Sequence, residues 1–306
     1  PENIIVSNGG KHSLFNILQA ICNPGDEVII PVPYWVSYPE LVKLADATPV
    51  FVECSEENEF KLKKEYLLSV ITSKTKAIIL NSPSNPTGSI YSKQELEEIA
   101  EIAVKNDIIV ISDEIYEKLV YDGETHISIA SLNNEIKERT IIVNGMSKGY
   151  AMTGWRIGYT ASTKEIAKIM ANIQSHATSN PNTIAQYASI EGLRGDQSSL
   201  AEMRKSFDER RKYMVERINK INDLSCITPK GAFYVMMNIS KWIGKELNGR
   251  IVKNSIDFAE ILLENAKVAM VPGLAFGADE FIRLSYATSL DNIKEGLNRI
   301  ENYLNK

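Results

Sequence analysis

Three short segments set reactive side chains just past apolar runs. The first, Asn81-Ser82-Pro83-Ser84-Asn85-Pro86-Thr87-Gly88, follows the run Ala77–Asn81, and its two prolines and glycine impose a sharp, rigid loop. The second, Ser112-Asp113-Glu114-Ile115-Tyr116, puts an acidic pair at the end of Ile108–Ser112, where four of five residues are Ile or Val. A carboxylate there is costly to bury without a partner. The third runs from Asn144 to Gly158, with Lys148 just past an apolar run, Arg156 eight residues later, and glycines at 145, 149, 154 and 158 that point to close backbone approach. Taken singly, the first two read equally well as a turn and a helix N-cap, and a solvated lysine is the usual case for the third. Together they supply a lysine, an acid, a phenol, an amide and an arginine. Pyridoxal 5'-phosphate (PLP) needs that set: an amine to form a Schiff base, an acid to keep the pyridine nitrogen protonated, and an arginine with backbone N–H groups to hold phosphate.

The elements that must position these residues follow from periodicity. Strand patterns are predicted at Ile4–Ser7, Val28–Pro31, Val50–Val52, Ala77–Asn81, Ile108–Ser112, Thr140–Asn144 and Arg156–Thr160. Amphipathic helix patterns lie between many of them, at Ser13–Cys22, Tyr38–Ala45, Lys64–Ile71 and Lys93–Lys105, the last opened by Ser92 with Glu95 at capping-box spacing. Such alternation predicts an α/β fold, a mainly parallel sheet with helices on both faces, in which ligands bind at the carboxyl ends of the strands. From Lys164 to Asn219 the pattern is mostly helical. Strands at Gly231–Asn238, Val268–Val271 and Phe281–Ser285, with helices at Ser255–Asn265 and Asp291–Leu304, predict a smaller α+β unit. We therefore expect a large domain over 1–205 and a small C-terminal domain over 206–306.

Composition excludes other classes. The 306 residues are 44% hydrophobic and 24% charged with net charge −5, and no Lys/Arg-rich run is present, which argues against nucleic acid or an anionic membrane as partner. The apolar runs are strand-length, too short to span a bilayer. Cys22, Cys54 and Cys226 lack CxxC spacing and read as reduced, buried thiols of a cytoplasmic protein, and the three scattered histidines offer no metal-ligand spacing.

The strings SPSNPTG, SDEIY, SKGYAMTGWRIG and RLSYATS resemble, in order, the signature blocks of class I aminotransferases of the fold-type I PLP superfamily, and GGK, PYWVSYP and GAFYV are similar to blocks of bacterial aspartate aminotransferases. The resemblance implies a three-layer α/β/α large domain and a cytoplasmic homodimer acting on amino acids and 2-keto acids. It also implies residue roles. Lys148 resembles the Schiff-base lysine and proton shuttle, and Asp113 the acid paired with the pyridine nitrogen. Tyr116 and Asn85 resemble the donors to the ring oxygen, and Trp35 the aromatic that stacks on the ring. Arg156, Ser147 and the amides at Gly9, Gly10 and Lys11 resemble the phosphate site, although Gly145 stands where some relatives have serine. Arg283 resembles the arginine that takes the substrate α-carboxylate. Lys11 resembles a reader of the distal carboxylate of dicarboxylic substrates, which makes aspartate with 2-oxoglutarate the expected pair. Aromatic amino acids or prephenate, a β-lyase or synthase chemistry, or a non-catalytic amino-acid sensor are the rivals. The Asn85–Pro86 and Val32–Pro33 bonds are candidate cis peptides. The family carries roughly 80–100 further residues before this point, so the chain, which opens at Pro1 on a strand pattern, is expected to be a piece of a longer protein with an open site.

Overall fold

The computed structural model describes residues 1–305. Short β-branched runs become the strands β1 (Ile4–Ser7), β2 (Glu27–Val32), β3 (Thr48–Glu53), β4 (Thr75–Asn81), β5 (Ile109–Asp113), β6 (Thr140–Gly145) and β7 (Gly158–Ala161). They form one sheet in the order β1-β7-β6-β5-β4-β2-β3, in which β7 alone runs against the direction of the other six.

Both faces of the sheet are covered, which is why its central strands read as continuous apolar runs. Ala77 and Ile79 of β4 pack with Leu14, Ile17 and Leu18 of α1 (Gly10–Ile21), with Leu41 and Val42 of α2 (Ser37–Leu44), and in the same cluster with Met170. The alternate residues Ile78 and Leu80 face Leu67 of α3 (Lys64–Val70), Leu96 and Ile99 of α4 (Lys93–Lys105), and Ile136 of α5 (Asn134–Arg139). Helix α4 starts on the predicted capping box, with the Ser92 side chain accepting from the Glu95 N–H and Glu95 reaching back to the Ser92 N–H.

The later chain contributes α6 (Lys164–Ala177), α7 (Thr183–Arg194) and α8 (Ser198–Ile218), then β8 (Tyr234–Asn238), the small hairpin β9 (Glu246–Leu247) and β10 (Arg250–Ile251), α9 (Ser255–Ala266), β11 (Val271–Pro272), β12 (Phe281–Ser285) and α10 (Leu290–Leu304). Strands β11, β12 and β8 form an antiparallel sheet whose core takes side chains from α8, α9 and α10. Tyr116, Leu119 and Tyr121, just after β5, belong to this same core, so the end of β5 lies on the seam between the two halves. The fully buried Arg211 guanidinium braces that seam through Asp122, Asp208 and the Pro229 carbonyl. No helix among the described residues is long and apolar enough to cross a membrane.

Several boundaries differ from the sequence patterns. Helix α1 begins at Gly10 rather than Ser13, because Gly9, at φ 91°, turns the chain almost directly from β1 into the helix. The predicted strand Arg156–Thr160 starts only at Gly158, leaving Arg156 in the preceding turn at φ 53°. Of Val268–Val271 only Val271 pairs, since β11 meets β12 at Val271↔Arg283 and the residues before it pack on the small core instead. Gly231–Ala232–Phe233 precede β8 as a loop whose Gly231 N–H bonds the Gly88 carbonyl. Cys54 and Cys226 are buried, but Cys22 is only half-buried. The Val32–Pro33 and Asn85–Pro86 bonds are cis as expected, and Ser82–Pro83 is cis as well.

Candidate active site

The carboxyl ends of β1, β2, β4, β5 and β6 open on one cavity of about 330 Å³, within the usual range for a small-molecule site. Of the eleven residues singled out in the sequence, ten line it: Gly10, Lys11, Trp35, Asn85, Asp113, Tyr116, Ser147, Lys148, Arg156 and Arg283. Gly9 lies just outside, under the Arg156 side chain; a Cβ built on it would stand 2.3 Å from the Arg156 Nη2. Arg156 reaches this edge although it precedes a strand, because antiparallel β7 presents its amino end where the other strands present their carboxyl ends.

Strand register sets the floor. Asn81 pairs with Asp113 across β4 and β5, and its side-chain amide donates to the Asp113 carbonyl at 2.9 Å while its Oδ1 accepts the Asn85 N–H at 2.8 Å. The Asp113 side chain is buried, and its Oδ2 accepts the Tyr38 hydroxyl at 2.7 Å while Oδ1 accepts the Ile115 N–H at 3.2 Å. Burial raises its pKa to about 6, against the pull of Tyr38, the Ile115 N–H and Lys148. Glu114, its neighbour, points away. It is satisfied by Ser112, Ser128 and His126, and its carboxylate, that of Glu117 and the His126 ring bring their ligand atoms within 4.8 Å of one another. The sequence hides this cluster, since His126 lies twelve positions from Glu114.

On the other side are cations. Lys148 Nζ stands 6.0 Å from the Tyr116 ring centroid and 5.7 Å from that of Phe233. Burial, with Arg156 and Arg283 nearby, lowers its pKa. The Arg283 guanidinium is sandwiched between Tyr234 and Phe276, at 4.5 and 4.7 Å, and donates to Asn85 Oδ1 at 3.0 Å; its Nε is buried without a partner. Burial lowers its pKa too. Lys11 Nζ lies 5.0 Å over the Trp35 ring. Helix α1 starts here with no side-chain cap and no acidic residue in its first turn. Among the described residues Lys11, Lys148, Arg156 and Arg283 make no salt bridge. Four cations and a free helix N-terminus around one cavity describe a site for anionic groups.

Sequence reasoning missed two phenols. Tyr38 binds Asp113, and the Tyr234 hydroxyl lies 3.0 Å from that of Tyr116. Both sit inside quoted strings, PYWVSYP and GAFYV, which is the only signal that would have drawn attention to them.

Comparison with known proteins decides the family, since residues 1–300 match the model for aminotransferase class I and II. The chain belongs to that family. An aspartate aminotransferase of Bacillus subtilis is 50% identical over 307 residues, covering 100% of this chain and 77% of that protein. A probable aspartate/prephenate aminotransferase of Rickettsia bellii is 48% identical over 302 residues, covering 98% of this chain and 76% of the relative. The crystal structure of the aspartate aminotransferase from Rhizobium meliloti superposes with a TM-score of 0.97 at 43% identity, over 99% of this chain and 76% of that one. The sheet, its helices and the family match agree with the fold-type I architecture expected from the sequence.

Proposed function

We propose that this aminotransferase uses PLP attached to Lys148 and transfers the amino group of aspartate to 2-oxoglutarate in two half-reactions. The observation that carries the reading is the set of unpaired cations facing a buried carboxylate across one small cavity. A phosphate would fit between Arg156, Ser147 and the first N–H groups of α1, where Gly9 leaves the room that Arg156 occupies. Asp113 would hold the ring nitrogen, Tyr116 and Asn85 the ring oxygen, and Trp35 the ring face. PLP, when bound, supplies an electron sink for the charge left at the substrate α-carbon.

The chain's own residues do the rest. The lowered pKa of Lys148 favours its neutral amine, which would attach the cofactor and, once displaced by the substrate amine, would take the proton from the substrate Cα and pass it to the cofactor carbon C4′. Arg283, desolvated between two rings and fixed by Asn85, binds the α-carboxylate. Lys11, on a flexible stem over Trp35, meets a distal carboxylate. The names of the relatives support an aspartate donor and leave an aromatic amino acid or prephenate aminotransferase as the second reading.

We further propose a large domain over 1–205, a small one over 206–306, a cytoplasmic location and a homodimer. The homodimer is supported by α7, which exposes Ile184, Tyr187, Ile190 and Leu193 along its length.

Steady-state kinetics test the function. Aspartate with 2-oxoglutarate should give the highest kcat/KM in a panel of amino and keto acids. Lys11→Ala should lower it about ten- to a hundredfold for aspartate, the worth of one charge-assisted contact, and far less for phenylalanine or tyrosine. Equal losses would favour the aromatic reading, and no transamination with any pair would end the proposal.

A further inference from the structure

We propose that Tyr38 is a positioning residue whose hydroxyl, bound to Asp113, keeps the proton shared with the cofactor on the ring nitrogen rather than on the carboxylate. The inference rests on the PLP reading above.

The Tyr38 ring is buried and Trp35 packs edge-on against it, at 5.3 Å between centroids and 85° between planes. It lies near the start of α2, where its N–H bonds the Trp35 carbonyl at 2.9 Å. The phenol therefore has little freedom, and its O–H is aimed at Asp113 Oδ2 at 2.7 Å. The Ile115 N–H takes Oδ1, so two of the roughly four acceptor positions of the carboxylate are filled. Both donors stabilise the ionised form and make it a weaker base. The other ionisable groups that act on Asp113 are Glu114, which points away but whose charge makes it more basic, Lys148, which makes it less so, and Tyr116.

Asp113 and the ring nitrogen would share one proton as a coupled pair, and a hydroxyl donating to Oδ2 at 2.7 Å biases that proton toward the nitrogen. With Tyr38 donating, the carboxylate stays ionised and the nitrogen keeps its proton. With that donor gone, the carboxylate competes for the proton, and a neutral ring nitrogen is a poorer electron sink.

Two titrations on wild type, on Tyr38→Phe and on protein with 3-fluorotyrosine at Tyr38 test this. The first follows the Asp113 carboxyl by 13C NMR in cofactor-free protein, assigned with Asp113→Asn. The second follows the ring nitrogen by 15N NMR in protein loaded with 15N-labelled PLP. Tyr38→Phe should raise the Asp113 midpoint by about one pH unit, a tenfold change in proton affinity, and move the 15N signal toward the unprotonated form. The fluorinated phenol, a stronger donor, should move both the opposite way. A purely packing role predicts no shift in Tyr38→Phe, or the same sign in both variants, and either would overturn the inference while leaving the PLP reading intact. A wild-type protein that binds no PLP would overturn both together.

Discussion

Lys148 and Asp113 face each other across the candidate site as a depressed amine and an elevated acid, and both shifts come first from burial. The acid has a consequence for stability. A carboxyl whose folded pKa lies above its unfolded value binds more protons in the folded state, so its contribution falls as pH rises from about 4 to about 6. The difference of about two pH units corresponds to roughly 3 kcal/mol against the folded, cofactor-free protein above pH 6. Cofactor-free Asp113→Asn should therefore be more stable than wild type at pH 7.5, by up to roughly 3 kcal/mol in urea denaturation, with the gap closing near pH 4. A variant less stable than wild type at pH 7.5 would mean that Asp113 is not strained by burial. These residues were legible in the sequence because Asp113 closes β5 and Lys148 stands three positions past β6, each in a distinctive string. Tyr38 was not legible in this role, as its partner lies 75 positions away and only the packing of α2 on the sheet brings them together.

At the scale of elements, the site depends on how closely β1, α1 and β7 pack. A Cβ on Gly158 would stand 2.4 Å from the Gly10 N and from the Gly9 carbonyl carbon, so the backbone that starts α1 would have to move. Gly158→Ala should destabilise the fold by roughly 1–3 kcal/mol and weaken PLP retention, read by thermal denaturation and by cofactor titration. Unchanged PLP affinity would separate α1 from the phosphate site. The period-2 and period-3.6 patterns located nearly all the strands and helices of the large sheet, since both faces are covered and the apolar runs are unambiguous. They failed at chain turns. Gly9 carries the chain into α1 three residues early, and Arg156 sits at a positive φ that no hydrophobic pattern announces. They failed again at β11, where Val268 and Met270 pack on the small core without a strand partner.

For the whole molecule, the two halves meet where Tyr116, Leu119 and Tyr121 leave the large sheet to join the core of α8, α9 and α10. The cavity therefore draws Arg283 and Tyr234 from one half and Lys148 and Asp113 from the other, and movement of one half against the other would change its shape. Helix α7 presents Ile184 and Tyr187 at 71% exposure each, an unusual surface for a chain on its own. If a second copy covers it, Tyr187→Glu should shift the protein from dimer to monomer in sedimentation velocity at micromolar concentration. A wild-type protein that sediments as a monomer would remove the basis for that expectation.

Lys148 is the proposed point of cofactor attachment. Borohydride reduction of PLP-loaded protein, followed by proteolysis and mass spectrometry, measures it directly. The pyridoxyl label should appear on the peptide containing Lys148, and Lys148→Ala should take no label and lose transamination by several orders of magnitude. A label on Lys11 or Lys118 in place of Lys148 would contradict the account.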